Sequence, residues 1–419
     1  MSAGTFCVRT NCCAVQRHET YRIAEYFRRN GWTETGDAAA ADAVVVTTCG
    51  VTDAAERAAL DEAARVFAEK KPGCRVFLSG CLPNICPDRL RERFPESVRI
   101  PLDRLSLFDA AIGASVPIES IAYHAGPPLH HSAGDPTLEA GRYDAELTAA
   151  RALADRFGEP AFLDAYNYCT QGRYLWKDDS LFEIKVSSGC ARACSYCASR
   201  KGIGAYRSRP SEQIVSEVRQ GAALGYRNIM LMGDELGDYG IDTGESLPSL
   251  LRSCLAADGG IRLGVRYLHP DALLAQWEEL LPLFDRIFFL CVSVQSANGE
   301  VLAGMNRSDN IARLTERLRT LRARFPRLYL HTQIIVGFPN ETGEAFRDTL
   351  RFLDACEFDF IRVNVFSPRE GTPAYGMKPC YSPAELADRM ERMRRFCEDN
   401  RYRRLYRRYV DCLRGGGRA

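Results

Sequence analysis

Apolar residues along this chain gather in short runs, and the runs are separated by stretches where they recur every three or four positions. Phe6 to Arg9, Ala43 to Thr47 and Arg75 to Ser79 read as strands, being short and rich in β-branched or aromatic residues. Between them, Val15 to Asn30 and Asp53 to about Lys70 carry helical spacing, with Ile23, Tyr26 and Phe27 on one face of the first. Strands that alternate with helices predict a parallel sheet covered by helices. The pattern spans residues 1–117 and then breaks. Residues 118–181 carry Gly126-Pro127-Pro128, His130-His131, a turn at Pro136 and a helical segment from about Leu138 to Phe157. They read as a linker enlarged by an insertion, with the histidine pair in exposed loop.

The strand–helix rhythm restarts at Phe182. Apolar runs fall at Phe182–Ser187, Asn228–Met232, Ile261–Tyr267, Ile287–Val294, Leu328–Val336 and Phe360–Phe366. Six such units over residues 182–376 predict a partial (β/α)6 barrel, so the fold class is α/β throughout. Residues 377–419 are helical and rich in arginine.

Composition narrows the class. Lys and Arg number 55 and Asp and Glu 54, so the net charge of +1 does not point to a polyanionic partner. No apolar run reaches 18 residues, and the N-terminal MSAGTFCVRTNCC has no basic segment followed by an apolar one. The expectation is a cytoplasmic chain with no membrane span. There are 17 cysteines, an odd number that cannot all pair within one chain. Without a secretion signal, ligation or catalysis explains them better than disulfides.

Two cysteine sets stand out. Cys190, Cys194 and Cys197 form a C-x3-C-x2-C motif just after the first barrel strand. Three thiolates so spaced can hold three irons of a [4Fe–4S] cluster and leave the fourth open to the amine and carboxylate of S-adenosylmethionine (SAM), which is then cleaved reductively. A structural zinc site would want a fourth ligand. Cys13, Cys49 and Cys81 follow the three N-terminal strand runs. Loops after parallel strands share one edge of the sheet, so these three should converge there and again leave one iron open.

At these motifs the chain resembles the radical SAM superfamily, and within it the methylthiotransferases. Thr10-Asn11-Cys12-Cys13, Thr47-Thr48-Cys49-Gly50-Val51-Thr52 and Ser79-Gly80-Cys81-Leu82 are similar to the N-terminal motifs of that branch. Further on, Tyr267-Leu268-His269-Pro270, Val294-Gln295-Ser296, Met305-Asn306-Arg307, Ile335-Val336-Gly337-Phe338-Pro339 and Ser367-Pro368-Arg369-Glu370-Gly371-Thr372 match as well. The resemblance implies two [4Fe–4S] clusters and SAM as cofactors, one cluster to make the radical and one to carry sulfur. It implies SAM contacts by Tyr196, by Gly233, Asp234 and Glu235 at the end of the second barrel strand, and by Gln295. It also implies an electron donor such as flavodoxin or ferredoxin.

The chain departs from that pattern in places. Cys12 stands where the family has glycine, so the ligand is Cys12 or Cys13, and the downstream spacing favours Cys13. Gln333 replaces a strand-five aspartate, and Ala198-Ser199-Arg200 follows Cys197 in place of apolar residues and proline. The small C-terminal TRAM barrel of the tRNA and ribosomal-protein enzymes has no counterpart after Tyr381. Arg401 to Tyr409 interleaves arginine with tyrosine, either as an RNA-binding segment or as a closing helix with Tyr402, Leu405 and Tyr409 packed down and its arginines solvated. The expected activity is sulfur insertion, as methylthio, at an unactivated C–H bond of a peptide or small molecule. The alternatives are tRNA adenosine methylthiolation and a non-catalytic iron–sulfur protein that binds nucleic acid.

Overall fold

The computed structural model describes residues 4–13, 15–123 and 181–414. Most of the expected insertion, including His130 and His131, lies outside the described residues.

The N-terminal sheet holds β1 (Thr5–Thr10), β2 (Thr33–Glu34), β3 (Ala43–Thr48), β4 (Arg75–Gly80) and β5 (Val98–Pro101), in the order β2-β1-β3-β4-β5 with every pairing parallel. Its two long covering helices are α1 (Arg17–Arg29) and α2 (Asp53–Glu69). Val45 and Phe77 face Ile23, Tyr26 and Phe27 of α1, while Val44, Val46 and Leu78 face Ala59, Leu60, Ala63 and Val66 of α2. A strand buried on both faces must be apolar at consecutive positions, which is why Val44-Val45-Val46 reads as a run and not an alternation. Thr52 caps α2 by accepting from Ala55 N at 3.2 Å.

The second sheet runs β13-β12-β11-β10-β9-β6, again all parallel. Its strands are β6 (Leu181–Lys185), β9 (Asn228–Met232), β10 (Arg262–Leu268), β11 (Ile287–Gln295), β12 (Tyr329–Val336) and β13 (Phe360–Val365). A short antiparallel pair, β7 (Ser187–Ser188) and β8 (Arg207–Ser208), lies beside it. Ile184, Leu231, Val265, Val292 and Val336 turn outwards into the helix layer. Met230, Met232, Phe289, Cys291 and Tyr329 belong to a separate inner cluster, which Val15 of the N-terminal region joins.

That shared cluster is one of several ties between the two sheets. Lys185 Nζ donates to Glu19 Oε1 at 2.8 Å, and both side chains are buried. Burial raises the Glu19 carboxyl, but Lys185 and Arg22 outweigh it and hold the group below the usual carboxylate range. Removing one member of a buried ion pair strands the other. The Lys185→Met variant should therefore lose about 3–5 kcal/mol of stability in chemical denaturation. An unchanged unfolding midpoint would show that the pair does not tie the sheets.

After β13 the described residues hold a turn at Pro373–Gly376 and one long helix, Pro383–Arg414, and no strand. The helix packs back on the barrel. Arg389 pairs with Glu341, Arg403 with Asp354, and Arg404 with Asp359 and Glu357. Arg404 is only 8% exposed, which corrects the expectation of solvated arginines there: the carboxylate of Asp359 draws it into the core. The side chains of Tyr402, Leu405 and Tyr409 lie outside the described residues.

Candidate active site

The loop after β6 carries the first trio. Gly189 turns the chain with φ +83°, and a Cβ there would lie 2.6 Å from Ala205 O, so no larger residue fits. Gly189 N donates to Asp234 Oδ2 at 2.9 Å, which hangs the cysteine loop on the end of β9. Met305-Asn306-Arg307 braces the other side. Ser195 N donates to Met305 O at 2.9 Å, Asn306 Nδ2 to Ala193 O at 2.8 Å, and Arg307 Nη1 to Cys194 Sγ at 3.4 Å. Tyr196 meets Phe338 edge-on at 6.5 Å and packs beside Val301, Met305 and Ile335. Burial pushes the Cys190 thiol up to about 12 and raises Cys197 as well. Such thiols stay protonated until a cation replaces the proton, as the irons of a cluster do.

The remaining expected SAM contacts sit at neighbouring strand ends. A Cβ on Gly233 would lie 2.4 Å from Ser187 Oγ, so a side chain there would have to displace that hydroxyl. Glu235 Oε1 accepts from the amides of Gly237 and His269, both at 2.9 Å, and thereby splices the β9 and β10 loops. Burial pushes its carboxyl up to about 7. Gln295 ends β11 with φ +69°, is buried, and its Oε1 has no hydrogen-bond partner among the described residues. Tyr267 near the end of β10 has φ +70°. Left-handed backbone at non-glycine residues costs of order 1–3 kcal/mol and concentrates at functional sites.

A cleft of about 330 Å³ opens beside Cys194, lined by Arg192, His269, Asp271, Asn306 and Arg307. His269 is neutral there, since burial and the nearby Arg307 and Arg192 lower it to about 3.

The second trio is built by sheet order. β1, β3 and β4 are neighbours, with Thr10 in register with Thr47 and Thr48 with Gly80. Cys13, Cys49 and Cys81 therefore leave one sheet edge side by side, as expected of loops after parallel strands. At Gly80 the chain turns with φ +112°, where a Cβ would lie 2.4 Å from Thr48 O. Burial raises all three thiols, Cys49 to about 12. Cys12 Sγ lies 3.5 Å from Thr20 Oγ1 on α1. Cys13 instead joins Val15 and Met232 and lies beside Asp234. The arrangement favours Cys13 as the third thiol.

None of the described cysteines is in a disulfide. Among the described residues no three His, Cys, Asp or Glu side chains are arranged around a single metal ion. A cubane asks for something different, since each thiolate binds its own iron. Two sets of three free, buried or partly buried thiols fit that group.

The two trios are neighbours. A Cβ on Gly202, in the short helix Ser199–Ile203 that follows Cys197, would lie 2.8 Å from Cys81 Cβ. Gln16 Nε2, close to Cys13, reaches Asp234 Oδ1 at 3.5 Å. Ser367 Oγ accepts from Asp53 N at 2.9 Å, and Arg369 is buried against Glu56, so the loop after β13 is pinned to α2. Lys185 and Arg192 had no role assigned from the sequence, and Gln16 stood out only as part of the first N-terminal motif. Arg307 was visible only as part of a motif.

Residues 184–353 match the Radical SAM superfamily, and residues 5–100 match the uncharacterized protein family UPF0004. The ribosomal protein uS12 methylthiotransferase RimO of Thermotoga maritima is 30% identical over 374 residues, which cover 88% of this chain and 77% of that protein. The chain belongs to the radical SAM methylthiotransferase family. As a member it is a sulfur transferase that uses SAM and two [4Fe–4S] clusters. A probable threonylcarbamoyladenosine tRNA methylthiotransferase of Pyrococcus horikoshii is 28% identical over 86% of this chain and 76% of its own length. Among solved structures, the radical S-adenosylmethionine methyltransferase TsrM of Kitasatospora setae shares the fold with a TM-score of 0.57 at 14% identity, over 90% of this chain and 77% of that one. Membership in an enzyme family removes the reading as a non-catalytic nucleic-acid-binding protein. No helix among the described residues is long and apolar enough to cross a membrane.

Proposed function

We propose that this methylthiotransferase inserts sulfur, as methylthio, at an unactivated C–H bond of a peptide or small-molecule substrate. Cys190, Cys194 and Cys197 would hold the cluster that binds SAM, and Cys13, Cys49 and Cys81 the cluster that carries sulfur. When bound, these groups supply a hydrogen-abstracting radical and a sulfur atom. The observation that carries the assignment is the contact of the helix after Cys197 with Cys81, because a substrate carbon must meet both groups. Tyr196, Gly233, Asp234, Glu235 and Gln295 would position SAM. Asp234 does so while fixing the cysteine loop, and Gln295 offers an unused amide oxygen. The cleft beside Cys194 is the natural approach for an electron donor such as flavodoxin or ferredoxin. The same reading divides the chain into residues 1–117, a linker with insertion at 118–181, the barrel at 182–376 and the helical extension at 377–419.

A peptide or small molecule is favoured over tRNA by the long C-terminal helix. Among its described side chains, the arginines at 389, 392, 394, 395, 403 and 404 are all paired with carboxylates of this chain. Guanidinium groups already matched this way offer little to phosphates. Labelled tRNA titrated over a range of salt should bind weakly and lose affinity steeply as salt rises. Digests of tRNA incubated with enzyme, SAM, sulfide and reductant should contain no methylthioadenosine. Its appearance over multiple turnovers would promote the tRNA reading instead.

A further inference from the structure

Cationic side chains lie beside both cysteine trios, and most of them are matched by acids. Lys185, near enough to Cys13 to draw its thiol down, pairs with Glu19 at 2.8 Å. Arg369, which acts on Cys49 in the same way, is buried against Glu56. Arg192, between Cys190 and Cys194 in the chain, donates to Asp238 Oδ1 at 2.6 Å. Arg307 differs. It is partly buried and makes no ion pair with any described residue. Its guanidinium donates to Ser293 O at 2.5 Å and to Cys194 Sγ at 3.4 Å. While Cys194 is a thiol, neither acceptor is an anion.

The backbone holds Arg307 in place without help from the cysteine. The short helix Gly299–Gly304 ends with Asn306 in the left-handed region, at φ +54°, a conformation that asparagine tolerates. Asn306 N then donates to Ala303 O at 3.0 Å and Arg307 N to Leu302 O at 2.8 Å, the paired bonds that lock a helix end of this kind. Ser293 on β11 fixes the other end of the side chain. The cysteine loop rests on the same turn, since Ser195 Oγ donates to Gly304 O at 2.7 Å and Ser195 N to Met305 O at 2.9 Å. Guanidinium and sulfur are therefore brought together by two separate anchors.

A guanidinium drawn partly out of water gains most from an anion in its fork. Cys194 becomes that anion when its proton gives way to iron. Hydrogen bonds to the sulfurs and local charge set the potential of a cubane. Reduction adds a negative charge, which a fixed cation nearby favours. We propose that Arg307 is the counter-cation of the cluster held by Cys190, Cys194 and Cys197, and that its hydrogen bond to Cys194 raises the potential at which that cluster accepts an electron. The inference rests on the cluster assignment above and adds a positioning residue to it. The step concerned moves one electron from a low-potential donor of the flavodoxin or ferredoxin class. The donor is oxidised, the cluster is reduced, and no bond forms or breaks. Lys185 and Arg369 are already matched by Glu19 and Glu56, so the effect belongs to the barrel cluster and not to its neighbour.

The test is a potentiometric titration, followed by electron paramagnetic resonance, of the full chain with both clusters loaded and SAM absent. The barrel cluster is the signal that changes when SAM is added afterwards. In Arg307→Gln, the ratio of reduced to oxidised barrel cluster, read where the wild type is half reduced, should fall about tenfold, the scale of one charge-assisted hydrogen bond. For a one-electron couple that is a midpoint about 59 mV lower. The signal that SAM leaves unchanged should keep its midpoint. Arg307→Lys, which retains a cation, should recover part of the shift. An unmoved midpoint in Arg307→Gln, or an Arg307→Lys variant no better than Arg307→Gln, would overturn the inference. So would loss of barrel iron from both variants, which would make Arg307 a structural brace. Weaker SAM binding with an unmoved midpoint would overturn it as well and give Arg307 to the carboxylate of SAM. A wild type with no SAM-responsive signal would overturn the cluster assignment and this inference with it, whereas the other outcomes leave that assignment standing.

Discussion

Replacing Cys190, Cys194 and Cys197 together by alanine is expected to reduce 5′-deoxyadenosine formation from SAM to background. The loop should survive the change. Its shape is held by Gly189 N on Asp234, Ser195 on Met305 and Gly304, Asn306 on Ala193, and the Tyr196 ring among apolar neighbours. None of those contacts uses a thiol. Arg307 would lose its contact with Cys194 Sγ but keep its bond to Ser293 O at 2.5 Å. No other barrel cysteine can substitute. Cys254 and Cys356 are buried in the helix-facing core, and Cys291 lies in the inner cluster below the strand ends. The variant should thus fold, keep the N-terminal cluster and be inert toward SAM. High-performance chromatography of the reaction mixture checks it, and residual SAM cleavage at wild-type rate would remove these cysteines from their assigned role.

The triple variant of Cys13, Cys49 and Cys81 to alanine should behave differently. It should still form 5′-deoxyadenosine, since the barrel trio is intact, but yield no sulfur-containing product. Cys7, Cys74 and Cys86 remain in this half, yet all three are buried in the α2-facing core. Cys74 precedes β4 and so lies at the end of the sheet opposite Cys81. Cys12 is the remaining neighbour, which makes the single variants informative. Cys13→Ala should cost most of the sulfur product, and Cys12→Ala little of it, because Cys13 is the thiol turned toward the barrel and Asp234. Mass spectrometry of the product reads both. Sulfur insertion that survives in the triple variant would overturn the division of labour between the trios.

Much of this arrangement was legible in the sequence. Parallel strands buried on both sides read as unbroken apolar runs, so β1, β3, β4 and the six barrel strands stood within two residues of their structural bounds. β2 and β5 did not: Thr33–Glu34 is two polar residues, and Val98–Pro101 lacks an apolar run. Cys13, Cys49 and Cys81 were legible because their strands are neighbours, a matter of topology. The buried ions were not. Arg17, Glu19 and Arg22 look like the solvent face of α1, yet Lys185 on β6 covers Glu19 and the segment Ile118 to Ile121 covers Arg22. Arg404 was misread for the same reason, since Asp359 lies 45 residues away in the chain. The positive φ of Gln295 depends on a strand bulge, which no local pattern encodes.

The iron content of the wild-type chain after anaerobic reconstitution tests the two-cluster assignment most directly. Two cubanes contribute four irons each, so the measurement should give about eight irons and about eight inorganic sulfides per chain. A protein that never exceeds about four irons would contradict it, leaving Cys13, Cys49 and Cys81 without a cluster to hold.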